Sequence, residues 1–344
     1  MQKEHVTIND IAREAGVSKT TVSRFLNGKY EYMSQETRKR IEQIIQSAHY
    51  RPNKLASSLK SNRSHQIGVL ISDICNPISA ILVRGISDVC ETHGYSLTIY
   101  CTDSNLEREQ EGVERLIDQR VDGILIHPSD RARSGAVFAD KAMPFAVVDR
   151  TIDAPADTVT TDGREATRTA LEHLYAQGFR NLALFTEEPA NISTRHERIE
   201  AFSSFYRAHI GEGAEAAVHV IDIRNPGQVR ESVKALAEKQ AGGPLAVFTT
   251  NGNCLLGVLT AVRQLGLRIP DDLAVCGYDD WPWTELVTPG ITVISQPVYQ
   301  MGTEAAQLLF SRIDGGAAQT APVHRVLRSR LVVRGSTRFV SARL

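Results

Sequence analysis

Cysteine is scarce and unpatterned in this chain. Cys75, Cys90, Cys101, Cys254 and Cys276 are five residues in 344, an odd number, widely spaced, with no Cys-x-x-Cys pair. They read as reduced packing residues, which excludes a disulfide framework or thiolate metal site and points to the cytoplasm. Long apolar runs are missing too. None approaches the roughly 20 residues that span a membrane, and the polar first residues carry no signal-peptide core. No membrane partner is expected. No internal repeat stands out. The signatures that put catalysis on an α/β scaffold are also absent: Gly-x-Gly-x-x-Gly after a strand, a phosphate-loop lysine, a Gly-x-Ser-x-Gly elbow, His-Glu-x-x-His. His196-Glu197 lacks the second histidine of a zinc motif. No catalytic residue, metal ligand or cofactor is therefore assigned, and an enzyme is not expected.

What is present is ordinary in amount and uneven in placement. A hydrophobic content of 42% with 23% charged residues fits a globular protein of two or three domains. The net charge of -1 conceals a basic head. Residues 1–65 hold 12 Lys and Arg against 6 Asp and Glu, leaving 27 against 34 in the remainder. Such a division suggests that only the head meets a polyanion.

The head begins with two short helical patterns. Ile8, Ile11, Ala12 and Ala15 recur at helical spacing. Gly16 then supplies the freedom of a tight turn, and Val17 plugs its corner. Ser18 stands at an N-cap, and Val22, Phe25 and Leu26 form the inward stripe of a second helix. Its outward residues, Lys19, Thr20, Thr21, Ser23 and Arg24, all donate hydrogen bonds and none is acidic. A major-groove reader requires such a face. A third helix is predicted from about Ser34 to Ala48, with Ile41, Ile44, Ile45 and Ala48 inward and Arg38, Lys39 and Arg40 open to phosphate or water. Farther on, Asn53 can cap a short helix carrying Leu55, Ala56 and Leu59. Alone it is too short to be stable in water, so it orders only against a second copy or DNA. The expected divisions are a DNA-binding domain at 1–52, a hinge helix and linker at 53–65, and a larger domain at 66–344.

From Ile67 short apolar strands alternate with helices. Strands are predicted at Ile67–Ile71, Leu97–Tyr100, Gly123–Ile126 and Phe145–Val148, with helices near Ile78–His93, Glu107–Gln119 and Ala132–Ala142. A second series places strands at Leu182–Phe185, Val218–Ile221, Ala246–Phe248 and Leu273–Cys276. Two such series imply two doubly wound lobes. Val159–Asp162, Gly290–Ser295 and Pro322–Arg325 are candidates for crossing between them. Ligands in this kind of fold bind beyond the carboxyl ends of the strands, between lobes. The residues standing there are Asp73, Asn76, Arg150, the segment from Asn191 through Ser193 and Arg195 to Arg198, then Asn251, Asp279 and Trp281. Carboxylates, Asn and Arg suit polyol hydroxyls, and Trp281 can cover an apolar sugar face. Arg150, Arg195, Arg198 and Arg224 would be an excess of positive charge for a neutral sugar. Structural duties remain open for several: Asp279 as a loop cap, Asn251 as a turn, Arg150 in an inter-lobe ion pair.

The run Thr7-Ile8-x-Asp10-Ile11-Ala12-x-x-Ala15-Gly16-Val17-Ser18-x-x-Thr21-Val22-Ser23-Arg24-x-Leu26-Asn27 resembles the lactose-repressor (LacI/GalR) family. Tyr50-Arg51-Pro52-Asn53, with Leu55-Ala56 and Leu59, is similar to that family's hinge. The resemblance implies an α/β protein: an all-α helix-turn-helix domain joined to a two-lobed, doubly wound, periplasmic-binding-protein-like effector domain. The chain should cross three times between lobes, so that the last helix, Met301–Ile313, returns to the first. The implied function is a ligand-responsive transcription regulator, a repressor that binds a palindromic operator as a homodimer. By the same resemblance Lys19, Thr20 and Arg24 read bases, while Thr7, Ser18, Thr21, Ser23 and Asn27 hold phosphates. Asn53, Ala56 and Leu59 enter the minor groove, with Leu59 as the wedge. The resemblance places Arg198, Asn251 and Asp279 on positions that contact the effector; with the residues that follow the strands, the expected effector set is Asp73, Asn76, Arg150, Ser193, Arg195, Arg198, Asn251, Asp279 and Trp281. The head and the segment Asn191–Arg195 look like a subgroup that senses sugar acids such as ketogluconate. The alternatives are a sugar-binding transport protein or an enzyme on the same lobes.

Overall fold

The structure, a computed structural model, describes residues 6–50, 63–139, 141, 143–210, 217–238, 244–315 and 321–338. The chain divides into two compact units, residues 1–64 and 65–344. The expected hinge residues Asn53, Leu55, Ala56 and Leu59 lie outside the described residues.

In the first unit, α1 (Ile8–Glu14), α2 (Lys19–Leu26) and α3 (Gln35–Ser47) follow local signals. Thr7 and Asp10 form a reciprocal capping box on α1. Ser18 Oγ accepts from Thr21 N, and Ser34 Oγ from Thr37 N, each at 3.1 Å. At the far end of α1, Gly16 takes a φ of 63°, so that Val17 N–H reaches back to the Ala12 carbonyl at 3.0 Å. Such a left-handed cap favours glycine, which has no Cβ. Ile11, Ala12, Ala15, Val22 and Ile41 make the core, with Val17, Phe25, Leu26, Ile44 and Ile45 packed against it. A 3-10 turn at Tyr30–Tyr32 between α2 and α3 was not anticipated.

The second unit holds two sheets, each of six strands among the described residues. The first lobe runs β1 (Gln66–Ile71), α4 (Pro77–Thr92), β2 (Ser96–Cys101), α5 (Leu106–Asp118), β3 (Gly123–Ile126), β4 (Phe145–Val148) and β5 (Asp157–Thr161). The second runs α6 (Gly163–Ala176), β6 (Asn181–Thr186), α7 (Ser193–Ile210), β7 (Ala217–Val220), α8 (Pro226–Glu238), β8 (Leu245–Thr249), α9 (Gly252–Gln264), β9 (Ala274–Tyr278), α10 (Pro282–Leu286) and β10 (Thr292–Ser295). Then α11 (Val298–Gly315) and β11 (His324–Leu327) return to the first lobe, and β12 (Arg330–Val332) ends in the second. The orders β2-β1-β3-β4-β5-β11 and β7-β6-β8-β9-β10-β12 are the same pattern twice. The repeat that the amino acids hide is plain in the topology. All pairings are parallel except β10 with β12. The chain crosses after β5, after β10 and after β11, directly following the segments expected to cross.

Both faces of each sheet are covered by apolar side chains, as parallel strands require. On the first lobe α4 and α11 approach so closely that a Cβ on Gly85 would lie 2.3 Å from the Tyr299 carbonyl oxygen. A Cβ on Gly302 would lie equally near the Leu82 carbonyl, at 2.3 Å. The helix expected at Ala132–Ala142 does not form; the segment contains a 3-10 turn, Ser134–Phe138. Asp130 Oδ1 accepts from Ala132 N and Arg133 N, and Gly135 is pressed against Ala154, so a compact turn replaces an amphipathic helix. Among the described residues no helix is long and apolar enough to cross a membrane.

Candidate functional site

On the head, Lys19, Thr20 and Arg24 are exposed while Val22 of the same helix is fully buried. Several residues expected at phosphates already serve the helix ends. The Thr7 hydroxyl donates to Asp10 at 2.6 Å. Ser18 and Thr21 share a hydroxyl contact at 2.9 Å, and Asn27 Nδ2 donates to the Ser23 carbonyl at 2.7 Å. The exposed donors on this face are therefore concentrated at Lys19, Thr20 and Arg24.

On the larger unit, the carboxyl ends of both sheets converge on a polar cleft of about 100 Å³. The first lobe supplies Ser72, Asp73 and Asn76 after β1, His127 after β3, and Asp149 and Arg150 after β4. The second supplies Glu187 after β6, Arg195 and Arg198 on α7, Asn251 after β8 and Asp279 after β9. Gln296, at the second crossing, also lines it, together with Ile78, Ser104, Ile192, Thr194 and Asn253. Asp149 and Asp279 occupy equivalent places in the two sheets. Both adopt a left-handed backbone, with φ of 67° and 74°. Each amide bonds to the neighbouring strand, Asp149 to Val159 O at 2.8 Å and Asp279 to Ile294 O at 2.9 Å. Aspartate tolerates this conformation better than most residues, and here it turns a carboxylate into the cleft from each lobe.

The guanidiniums are placed unusually. Arg150 is buried, and its Nη1 donates to the Pro128 carbonyl at 2.7 Å. Arg198 lies 3.7 Å over the Tyr278 ring and donates to the Thr250 carbonyl and, at 3.1 Å, to Gln296 Oε1. Both direct their hydrogen bonds to neutral oxygens, and both keep a buried Nε without a partner. Burial takes the Arg150 guanidinium down to about 10, so it is still a cation at neutral pH. Arg195, in contrast, pairs with Glu187 at 3.0 Å.

A hydrogen-bonded chain runs beside them. Ser72 Oγ lies 3.0 Å from His127 Nδ1, and His127 Nε2 lies 2.9 Å from Asp149 Oδ2. Burial, reinforced by the charge of Arg150, lowers the His127 pKa. The ring is thus neutral at pH 7, accepting from Ser72 and donating to Asp149. Burial works to raise the Asp149 carboxyl, but the His127 hydrogen bond and the surrounding cations outweigh it and hold the group below the usual range. Its Oδ1 is buried without a partner. Asp279 is raised by burial, though its oxygens accept from Gly252 N at 2.9 Å and Gln296 Nε2 at 2.7 Å. Among the described residues, no group of three His, Cys, Asp or Glu is arranged to hold a metal.

Asp73, Asn76, Arg150, Arg195, Arg198, Asn251 and Asp279 all line the cleft. Asn76 and Asn251 also cap α4 and α9, so the structural duty and the place in the lining coincide. Ser193 and Trp281 stand apart from it. Ser193 is buried, its Oγ accepting from Thr151 N at 3.0 Å across the lobes. The Trp281 ring packs against Gly252 and edge-on to Trp283, supporting the start of α9. Arg224 is on the surface, its side chain 89% exposed and paired with Asp222. The expected excess of positive charge is absent, because Asp73, Asp149, Glu187 and Asp279 face Arg150, Arg195 and Arg198. Sequence reasoning missed His127, Glu187 and Gln296. Each follows a strand directly, so the rule that found Asp73 and Asn251 would have found them as well.

Comparison with known proteins agrees with this geometry. Residues 7–53 match the family of bacterial regulatory proteins, lacI family, and residues 171–337 match the periplasmic binding protein-like domain. The chain is 37% identical over 320 residues to the HTH-type transcriptional regulator KdgR of Bacillus subtilis (strain 168), covering 92% of this chain and 94% of that protein. It is 34% identical over 334 residues to the HTH-type transcriptional regulator PtxS of Pseudomonas aeruginosa, covering 96% of each. Among solved structures it is similar to the lac repressor dimer bound to operator and the anti-inducer ONPF. That match has a TM-score of 0.84 and 25% identity, covering 97% of this chain and 99% of the other.

Proposed function

Because the chain belongs to the lacI family of bacterial regulatory proteins and is a DNA-binding transcriptional repressor, we propose that a small sugar acid bound between the lobes sets its hold on an operator. The observation that carries this reading is the pair of buried guanidiniums, Arg150 and Arg198, whose hydrogen bonds go to neutral oxygens. Neither guanidinium is hydrogen-bonded to a carboxylate, and a ligand carboxylate matches a guanidinium fork. Asp149 Oδ1, Asn251 and Asp279 would take the hydroxyls. Four carboxylates in the lining favour a ligand with one acid group and many hydroxyls over a multiply charged one.

On the DNA side, Lys19, Thr20 and Arg24 read base edges, and Thr7, Ser18, Thr21, Ser23 and Asn27 lie near phosphates. The protein acts in the cytoplasm as a homodimer on a near-palindromic site, since one helix-turn-helix reads too few base pairs for specificity. The hinge from Asn53 through Ala56 to Leu59 orders on DNA, with Leu59 wedging a base step. The effector biases that ordering by shifting the lobes.

A thermal-shift screen of ketogluconate, keto-deoxygluconate, gluconate and glucose tests the ligand class. An acid at about a hundred times its dissociation constant should stabilise the fold by roughly 2.7 kcal/mol. Glucose should not, and Arg150→Ala and Arg198→Ala should abolish the shift. Stabilisation by glucose alone would refute the acid. The Ser72–His127–Asp149 chain favours a second reading, because a hydroxyl, imidazole and carboxylate in series can activate a nucleophile. Consumption of an acid by the wild type, lost in Ser72→Ala, would establish turnover instead.

A further inference from the structure

The turn between α2 and α3 carries two exposed tyrosines whose placement the fold itself does not require. Gly28, with a φ of 72°, ends α2 in a left-handed cap that sends Lys29 N–H back to the Arg24 carbonyl at 2.9 Å. The chain therefore doubles back onto the helix it has just left. Tyr30 N donates to Gly28 O, and Met33 N to Tyr30 O, each at 3.1 Å. The Tyr30 ring meets Phe25 edge-on at 5.7 Å, and the Arg38 guanidinium lies over the Tyr30 ring, 3.8 Å from its centroid. The turn is thus tied to α2 through Phe25 and to α3 through Arg38.

Tyr32 is 62% exposed and outside the hydrophobic core. Its ring lies beneath the Arg24 guanidinium, 4.8 Å from centroid to Cζ. We propose that Tyr32 is a positioning residue, holding the Arg24 guanidinium ready for the base edge it reads. The inference rests on the reading of Arg24 as a base contact. An arginine free in water loses rotamer freedom when it docks, and a ring that already restrains the guanidinium reduces that loss. At an exposed cation–π pair the benefit corresponds to about two- to fivefold in affinity. It should be felt only where Arg24 acts, at one base pair of each half-site.

The experiment selects binding sites from randomised duplex DNA with the full-length protein. The variants are Arg24→Ala, Tyr32→Leu and Tyr32→Phe, and affinities are then titrated on the selected site, on single-base variants and on random DNA. Arg24→Ala should erase the preference at one base pair of each half-site. Tyr32→Leu should weaken that same preference about two- to fivefold, leaving the other positions and the unfolding temperature unchanged. Tyr32→Phe, which keeps the ring, should behave as wild type. Full base preference in Tyr32→Leu would overturn the proposal alone. So would an equal loss on selected and random DNA, which marks a phosphate contact, or a phenylalanine variant as weak as the leucine one. Unaltered base preference in Arg24→Ala, or no enriched sequence with the wild type, would overturn the reading of Arg24 and the proposal together.

Discussion

At the scale of single residues, the proposed ligand and DNA contacts each turn on one arginine, Arg198 and Arg24. Arg198 stacks on Tyr278 and faces the cleft, so Arg198→Ala should leave ligand-free DNA binding intact and remove the response to effector. Titrating operator DNA with and without ligand distinguishes this from general damage. Arg24→Ala should cost about 1–3 kcal/mol of binding at one base pair of each half-site and little on random DNA. Much of the cleft could be read from the chain, because Asp73, Arg150, Asn251 and Asp279 follow apolar runs that are recognisable as strands. What stayed hidden was direction and pairing. Nothing local distinguishes Trp281, which props up α9, from a residue that covers a sugar. Nor does spacing reveal that Arg195 is neutralised by Glu187 while Arg150 and Arg198 turn to carbonyl and amide oxygens.

Among the elements, α4 and α11 depend on two glycines at their crossing. Gly85→Ala or Gly302→Ala would drive a methyl into the partner helix's backbone, where no rotamer change relieves it. Overpacking of this kind costs about 1–3 kcal/mol, which urea unfolding of each variant would show as a lowered midpoint. The head helices were legible because caps and stripes agree: Ser18 and Ser34 open helices whose inward residues are Val22 and Ile41. The Tyr30–Tyr32 turn was not, since its place depends on Tyr30 meeting Phe25 of α2 and Arg38 of α3, contacts that local spacing does not announce. The segment after Pro128 misled in the opposite direction. Its apolar spacing suggests a helix, but Asp130 and the close contact at Gly135 hold it as a turn.

For the whole molecule, the crossings make both stability and regulation depend on contacts between distant segments. Asp157 on β5 takes both oxygens to Arg312 of α11, at 2.6 and 2.7 Å, and also accepts from Val323 N at 2.8 Å. Asp157→Ala removes two charge-assisted hydrogen bonds from the Arg312 guanidinium, which still donates to the Ala321 carbonyl, and should cost about 1.5–3 kcal/mol in urea unfolding. Burial works to raise the Asp157 carboxyl, yet the Arg312 and Val323 hydrogen bonds leave it lowered, as His127 does for Asp149. Groups so depressed add stability above the ordinary carboxylate pKa of about 4, and the contribution disappears as pH falls through their folded values. Asp279 and Glu109, raised by burial, work in the opposite direction. Unfolding free energy followed from pH 7 to pH 3 should therefore fall less steeply below pH 4 in Asp157→Asn than in wild type. Regulation through the cleft is tested more directly by the affinity of the full-length protein for its selected operator, titrated with and without the sugar acid that stabilises it. Saturating acid should change the wild-type dissociation constant by about 5- to 150-fold. Arg198→Ala should bind the same DNA equally well and show no change. An unchanged wild-type affinity, or an Arg198→Ala protein that still responds, would contradict control through this cleft.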